Sequence, residues 1–140
     1  MTEPFHVPVE ELVSRTSSIQ RRLQDGGIDG MLIIQRVDLF YFSGTAQNGY
    51  LYIPADGAPL LLVKKLLSRA RAESGLENIV GIRSIKEIPV HIAAFCGKRP
   101  RVVGLEFDVL PTAYFFKLQS LFKGVEFVDG APFILETRMV

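Results

Sequence analysis

Few residues in this chain have the means to do chemistry, and they are scattered. Four carboxylates fall where predicted strands end: Asp38 after the first, Glu106 and Asp108 after the fifth, and Asp129 after the sixth. Carboxylates that converge at strand ends can hold a pair of metal ions for hydrolysis. The plainer reading is that each acid caps the turn or helix that follows it. Two features favour the plainer reading. The first strand, "GMLIIQ", carries no carboxylate, and a net charge of +1 is not that of a protein built to neutralise phosphates.

The other reactive side chains are equally spare. Cys96 lies in the apolar run "HIAAFCG" and reads as a small buried hydrophobe. His91 is five residues earlier, off its helical face, so no Cys–His pair is expected. His6 sits in an arm expected to be frayed, and neither histidine has a second ligand at metal spacing. There is no Gly-x-Gly-x-x-Gly after the first strand, no phosphate-cradling Gly-Lys-Ser/Thr and no Gly-x-Ser-x-Gly elbow. Lys64, Lys65, Arg69 and Arg71 read as a solvated face, with a salt-bridging subunit contact as the minority reading.

The elements that must position these residues follow from period and punctuation. A first helix is predicted from Val9 to Gln24, with Val9, Leu12, Val13, Ile19 and Leu23 on its apolar side and the Asp25–Gly27 turn as its stop. "GMLII" (Gly30–Ile34) reads as a strand buried on both faces. Tyr50–Pro54 and Leu60–Lys64 flank Asp56-Gly57 and so form an antiparallel hairpin. A helix then ends at Gly75, with Leu66, Leu67, Ala70 and Ala72 on its apolar side. A fourth strand covers Ile79–Arg83, and a helix from about Glu87 carries Pro89 in its first turn. "RVVGLEF", "LPTAYFFKLQSLFKG" with Thr112 as N-cap, "VEFVD" and "APFILETRMV" follow as strand, helix, strand and helix. This order implies a three-layer α/β/α fold around a six-stranded mixed sheet, with strand order 4-3-2-1-5-6. A mixed sheet with a hairpin resembles the topology of ribonuclease H.

The totals fit one domain spanning residues 1–140. A chain of this length buries roughly two thirds of its unfolded surface. Apolar residues are 48% and charged residues 22% of the chain, which is ordinary for a soluble globular protein. A single cysteine fits a reducing cytosol, and no apolar run approaches the ~20 residues needed to span a bilayer. A cytoplasmic protein with no nucleic-acid and no membrane partner is expected.

Several stretches, taken in order, resemble the N-terminal domain of the creatinase/prolidase/Xaa-Pro aminopeptidase (M24 metallopeptidase) family. "LFYFSG" resembles that family's Tyr-Leu-Thr-Gly-Phe signature, and "SRARAES" its segment after the hairpin. "VVGLEFDVLPTAYFFKL" resembles its Ile-Gly-Val-Glu strand and the helix beyond, and "ILETRMV" the start of its Leu-Arg-x-Ile-Lys-Ser segment. The likeness runs from about Val9 to Val140. One departure is Thr45, where an aromatic commonly follows the glycine.

The resemblance implies a non-catalytic domain whose parent is an Xaa-Pro dipeptidase or aminopeptidase. The parent's two divalent metal ions (Mn, Co or Zn) and its Asp, Asp, His, Glu, Glu ligand set belong to a catalytic domain absent from this chain. No metal site and no catalytic residue are expected here. The implied partners are that catalytic domain, a second copy in a homodimer, and the peptide substrate. In several members the N-terminal domain projects a loop toward the partner subunit's active site. The residues placed to form that substrate rim are Arg36, Asp38, Gln47, Asn48 and Tyr50. Leu39, Phe40, Tyr41 and Phe42 would anchor the loop as a short helical turn wedged in the core, at ~2 kcal/mol per well-buried side chain. The plainer alternative is that Asp38 caps this turn and the loop only connects. Two other readings stay open: an interaction domain of a family member without catalysis, and a free-standing ligand-binding domain with a closed pocket.

Overall fold

The computed structural model describes residues 6–139 apart from residue 66; Leu66, expected on a helix's apolar side, lies outside the described residues. The elements in order are α1 (Val9–Asp25), β1 (Gly30–Ile33), α2 (Arg36–Ser43), β2 (Gly49–Pro54), β3 (Leu60–Val63), α3 (Leu67–Glu73), β4 (Ile79–Gly81), α4 (Ile88–Cys96), β5 (Val102–Leu105), α5 (Thr112–Leu121), β6 (Glu126–Asp129) and α6 (Ala131–Arg138). The sheet order is β4-β3-β2-β1-β5-β6, with β2 antiparallel to both neighbours and the other pairings parallel. Fold class and strand order are as the sequence led us to expect.

Alternation along the strands builds two cores. Met31, Ile33, Leu51, Ile53, Leu61 and Val63 face α1, α2, α3 and α6. Leu32, Tyr50, Tyr52, Leu60 and Leu62 face α4 and α5. All four residues of β1 are buried, which is why that strand is apolar throughout.

The details differ from the sequence reading at several points. The buried stripe of α1 is Leu12, Thr16, Ile19 and Leu23, while Val9 and Val13 are exposed. The spacing of Leu12, Thr16, Ile19 and Leu23 keeps one helical face better than the valines do. Thr112 is the first residue of α5 and not its cap, and no side chain caps that helix. A 3-10 turn, Ile85–Glu87, precedes α4 and is closed by a capping box. In it Ser84 Oγ accepts from Lys86 N, and a Glu87 oxygen accepts from Ser84 N at 2.8 Å. His6 is no frayed arm: its Nδ1 lies 3.3 Å from the Glu73 carbonyl, and Val7 beside it is buried.

Gly30 is required by a close approach. A Cβ there would fall 2.1 Å from the Tyr52 hydroxyl, because Tyr52 lies diagonally across the β1–β2 register on the same face. Gly30→Ala is expected to cost about 1–3 kcal/mol through overpacking. Tyr52→Leu in the same chain should relieve part of it. Chemical denaturation of the two single variants and the double variant gives the coupling.

Candidate functional site

Two features lie on either side of α2. The first is the loop from Gly44 to Asn48. Its anchor is α2 itself, whose N-cap is Gln35; the Gln35 side chain accepts from Asp38 N at 2.9 Å. Gly44 ends the helix at φ 80°, a left-handed conformation that glycine adopts without strain. Leu39 and Phe42 are buried in the core, whereas Phe40 and Tyr41 are only half-buried. The expected aromatic wedge is therefore two residues deep. A helix shows one side to the core, so consecutive aromatics cannot all enter it. Tyr41 instead packs edge-on against Phe42, with the Arg15 guanidinium 4.1 Å and that of Arg138 5.2 Å from its ring centre.

The loop is held by a residue that sequence reasoning did not single out. Glu73, at the end of α3, accepts from the Thr45 hydroxyl at 2.8 Å, from Ala46 N at 3.2 Å and from Gln47 Nε2 at 3.1 Å. Burial alone would raise this carboxyl. The bonds from Thr45, Gln47 and Ala46, with Arg69 nearby, outweigh it and hold Glu73 below its usual range. Thr45, the departure from the family pattern, is thus a buried polar tie where an aromatic would pack. Ser74 adds a second clasp, its hydroxyl donating to the Ser43 carbonyl. In the sequence the clamp is prefigured only by the two hydroxyl residues flanking Gly44, Ser43 and Thr45.

The five rim candidates separate. Arg36 is exposed and reaches the loop, its Nη2 donating to the Ala46 carbonyl at 3.3 Å. Gln47 is turned inward to Glu73. Asn48 is exposed and borders a shallow hollow of about 180 Å³ with Ile34, Gly49, Tyr50 and Lys64. Tyr50 lies in β2, not in the loop. It is buried, and its hydroxyl is engaged with that of Tyr114, whose acidity burial and this bond suppress. Asp38 lies on the opposite side of α2, paired with Arg138 Nη1 at 2.8 Å. It sits in the first turn and does not cap the helix.

The second feature is a crevice outside the carboxyl ends of β1 and β5. The connections from these adjacent strands diverge, the usual place for a ligand in an open α/β sheet. Its lining includes Gln35, Val37, Asp38, Val109, Leu135 and Arg138, around about 220 Å³. Behind it, Glu106 is 2% exposed. Its Oε1 accepts from Ile34 N at 2.6 Å and Gln35 N at 3.0 Å, while Oε2 has no donor facing it. Burial first, and then the Asp38 carboxyl beside it, push Glu106 up to about 8 against the pull of the two amides. Asp129 behaves as the plainer reading expected, its Oδ1 accepting from Ala131 N at 3.1 Å. Among the described residues, no three His, Cys, Asp or Glu side chains gather as a metal site requires.

Comparison with known proteins decides the family. The Creatinase/Prolidase N-terminal domain matches residues 15–140. The chain belongs to that family. No protein of the curated set matches it in sequence. The N-terminal domain of cytoplasmic peptidase PepQ from Mycobacterium tuberculosis H37Rv superposes with a TM-score of 0.77 at 21% identity, covering 89% of this chain and 98% of that one. A proline dipeptidase from Streptococcus pneumoniae gives 0.76 at 24% identity, over 89% and 97% of the two chains. The prolidase from Pyrococcus horikoshii gives 0.76 at 21% identity, over 90% of this chain but 35% of that one. The chain therefore spans whole separate domains of this kind and about a third of the longer prolidase.

Two outcomes test the loop anchor. Glu73→Ala leaves a buried Thr45 hydroxyl without its acceptor and is expected to cost about 1–3 kcal/mol, with faster amide exchange at Ala46 and Gln47. The contribution of Glu73 is full above its ordinary value of 4.5 and is withdrawn as pH falls through its lowered folded value, so Glu73→Ala should flatten that part of the acid limb. Phe42→Ala is expected to cost about 3–5 kcal/mol, and Phe40→Ala much less, by urea denaturation.

Proposed function

We propose that this chain is the non-catalytic N-terminal domain of an Xaa-Pro peptidase, shaping the substrate rim and taking part in the dimer. The observation that carries the reading is the loop after α2: a helix seated in the core and a three-bond carboxylate clamp hold Arg36 and Asn48 outward at a fixed place. Loops on rigid supports are where binding residues sit. Among the described residues no side chain is set up as nucleophile or general base, and hydrolysis is assigned to a separate catalytic module. Two divalent metal ions of such a module would activate water for attack on the bond before proline. The described residues do not fit them.

The face around the crevice suits the docking of that module. Val37, Val109 and Leu135 are 54%, 51% and 55% exposed and stand together on its lining, an apolar grouping of the kind that marks an interface. Among the described residues no helix is long and apolar enough to cross a membrane. With a lone cysteine, this supports a cytoplasmic setting.

The test uses the chain joined to its natural catalytic half. Arg36→Ala and Asn48→Ala are expected to lower kcat/KM for Xaa-Pro peptides several-fold while leaving stability unchanged. Unaltered turnover by both variants removes the rim role. A downstream sequence lacking the five metal ligands would make this an interaction domain instead.

A further inference from the structure

We propose that Glu106 is held as a neutral acid whose Oε2 proton bridges to the Asp38 carboxylate, so that Glu106, Asp38 and Arg138 form a proton-dependent latch tying β5 to α2 and α6. The inference goes beyond the peptidase-domain reading and does not rest on it.

The two oxygens of Glu106 are unequally matched. Oε1 of Glu106 is fully used by the Ile34 and Gln35 amides. Oε2 is buried and meets no donor among the described residues, and the side chain that acts on Glu106 is a second acceptor, the Asp38 carboxyl. Two ionised carboxylates so placed repel each other, and an unpartnered buried charge is costly. One proton on Oε2 resolves both faults, because it turns Oε2 into a donor and Asp38 into its acceptor. Asp38 keeps its other partner, Arg138 Nη1 at 2.8 Å. The relay thus runs from the end of β5, through the first turn of α2, to the last turn of α6.

The surrounding charges do not offer another solution. From α2, Arg36 turns to the Ala46 carbonyl. From α6, Arg138 is taken by Asp38 and Glu136 pairs with Arg22. Asp129, at the end of β6, is spent on the Ala131 amide, and Asp108 lies exposed on the crevice rim. Strand β1 contributes only its backbone. Among the described residues no cation is left to neutralise Glu106, so the proton does it. As pH rises the proton leaves to solvent, Oε2 becomes a second buried anion beside Asp38, and the latch opens.

The sign follows from linkage. Glu106 stays protonated in the folded chain to about 8, above its ordinary value of 4.5, so the folded state binds the extra proton between these limits. The folding equilibrium constant should fall by up to about tenfold per pH unit through that window and level off above it. Glu106→Gln keeps an oxygen for the two amides and offers Asp38 a permanent N–H donor. It should fold as well as the wild type near neutrality and lack the decline. A decline of equal depth in Glu106→Gln overturns the latch, as does a severe loss of stability in that variant near neutrality. Infrared difference spectra of the wild type give an independent reading. The carbonyl stretch of a protonated carboxylic acid should be present near neutral pH, where ordinary carboxylates are ionised, and gone in strong alkali. Its absence at neutral pH also overturns the proposal, whether or not Glu106→Gln folds.

Discussion

Strand β1 is covered by helices on both faces and flanked by strands on both edges, and the rest of the molecule accommodates that constraint. Each of its residues is buried, so each must be apolar or, at Gly30, absent as a side chain. Polar chemistry can begin only where the strand stops. There the chain needs acceptors for the amides of Ile34 and Gln35, which have left the ladder but remain inside. Glu106, the first residue beyond β5, supplies one oxygen to both. The carboxylate of one parallel strand thereby finishes its neighbour, and α2 starts from the turn so defined.

From that start the helix does two things. Its inward side, Leu39 and Phe42, seats it in the core. Its two ends carry opposite electrostatic tasks. The first turn holds Asp38 toward Arg138 and the buried acid. The far end releases the chain through Gly44 into a loop gripped by Glu73. A short helix of eight residues would be marginal alone. Here both ends are tied to other elements, which lets it act as a rigid spacer between the crevice and the rim.

Several of the acids and the one cysteine are occupied or muted by their surroundings. Glu73, Glu106, Asp29 and Asp129 accept from backbone amides, and Glu11, Asp38 and Glu136 pair with arginines. Cys96 is half-buried, and burial pushes its thiol up, away from the thiolate needed for attack. Three of the exposed apolar side chains, Val37, Val109 and Leu135, border one hollow beside the crevice.

Much of the architecture was legible in the residues. The apolar runs of β1, β2 and β3, the Asp56-Gly57 turn between the latter two and the glycines closing α2 and α4 are local signals, and local signals determine element type and order. The short aromatic run before Gly44 announced a buried anchor for the same reason. What the residues alone left undecided was pairing between distant polar groups. Glu73 meets Thr45 across 28 positions, Arg138 meets Asp38 across 100 and Glu106 meets Ile34 across 72, and no period or spacing encodes such meetings. Only the folded sheet brings these groups together and decides which acid faces an amide, which faces a cation, and which is left needing a proton.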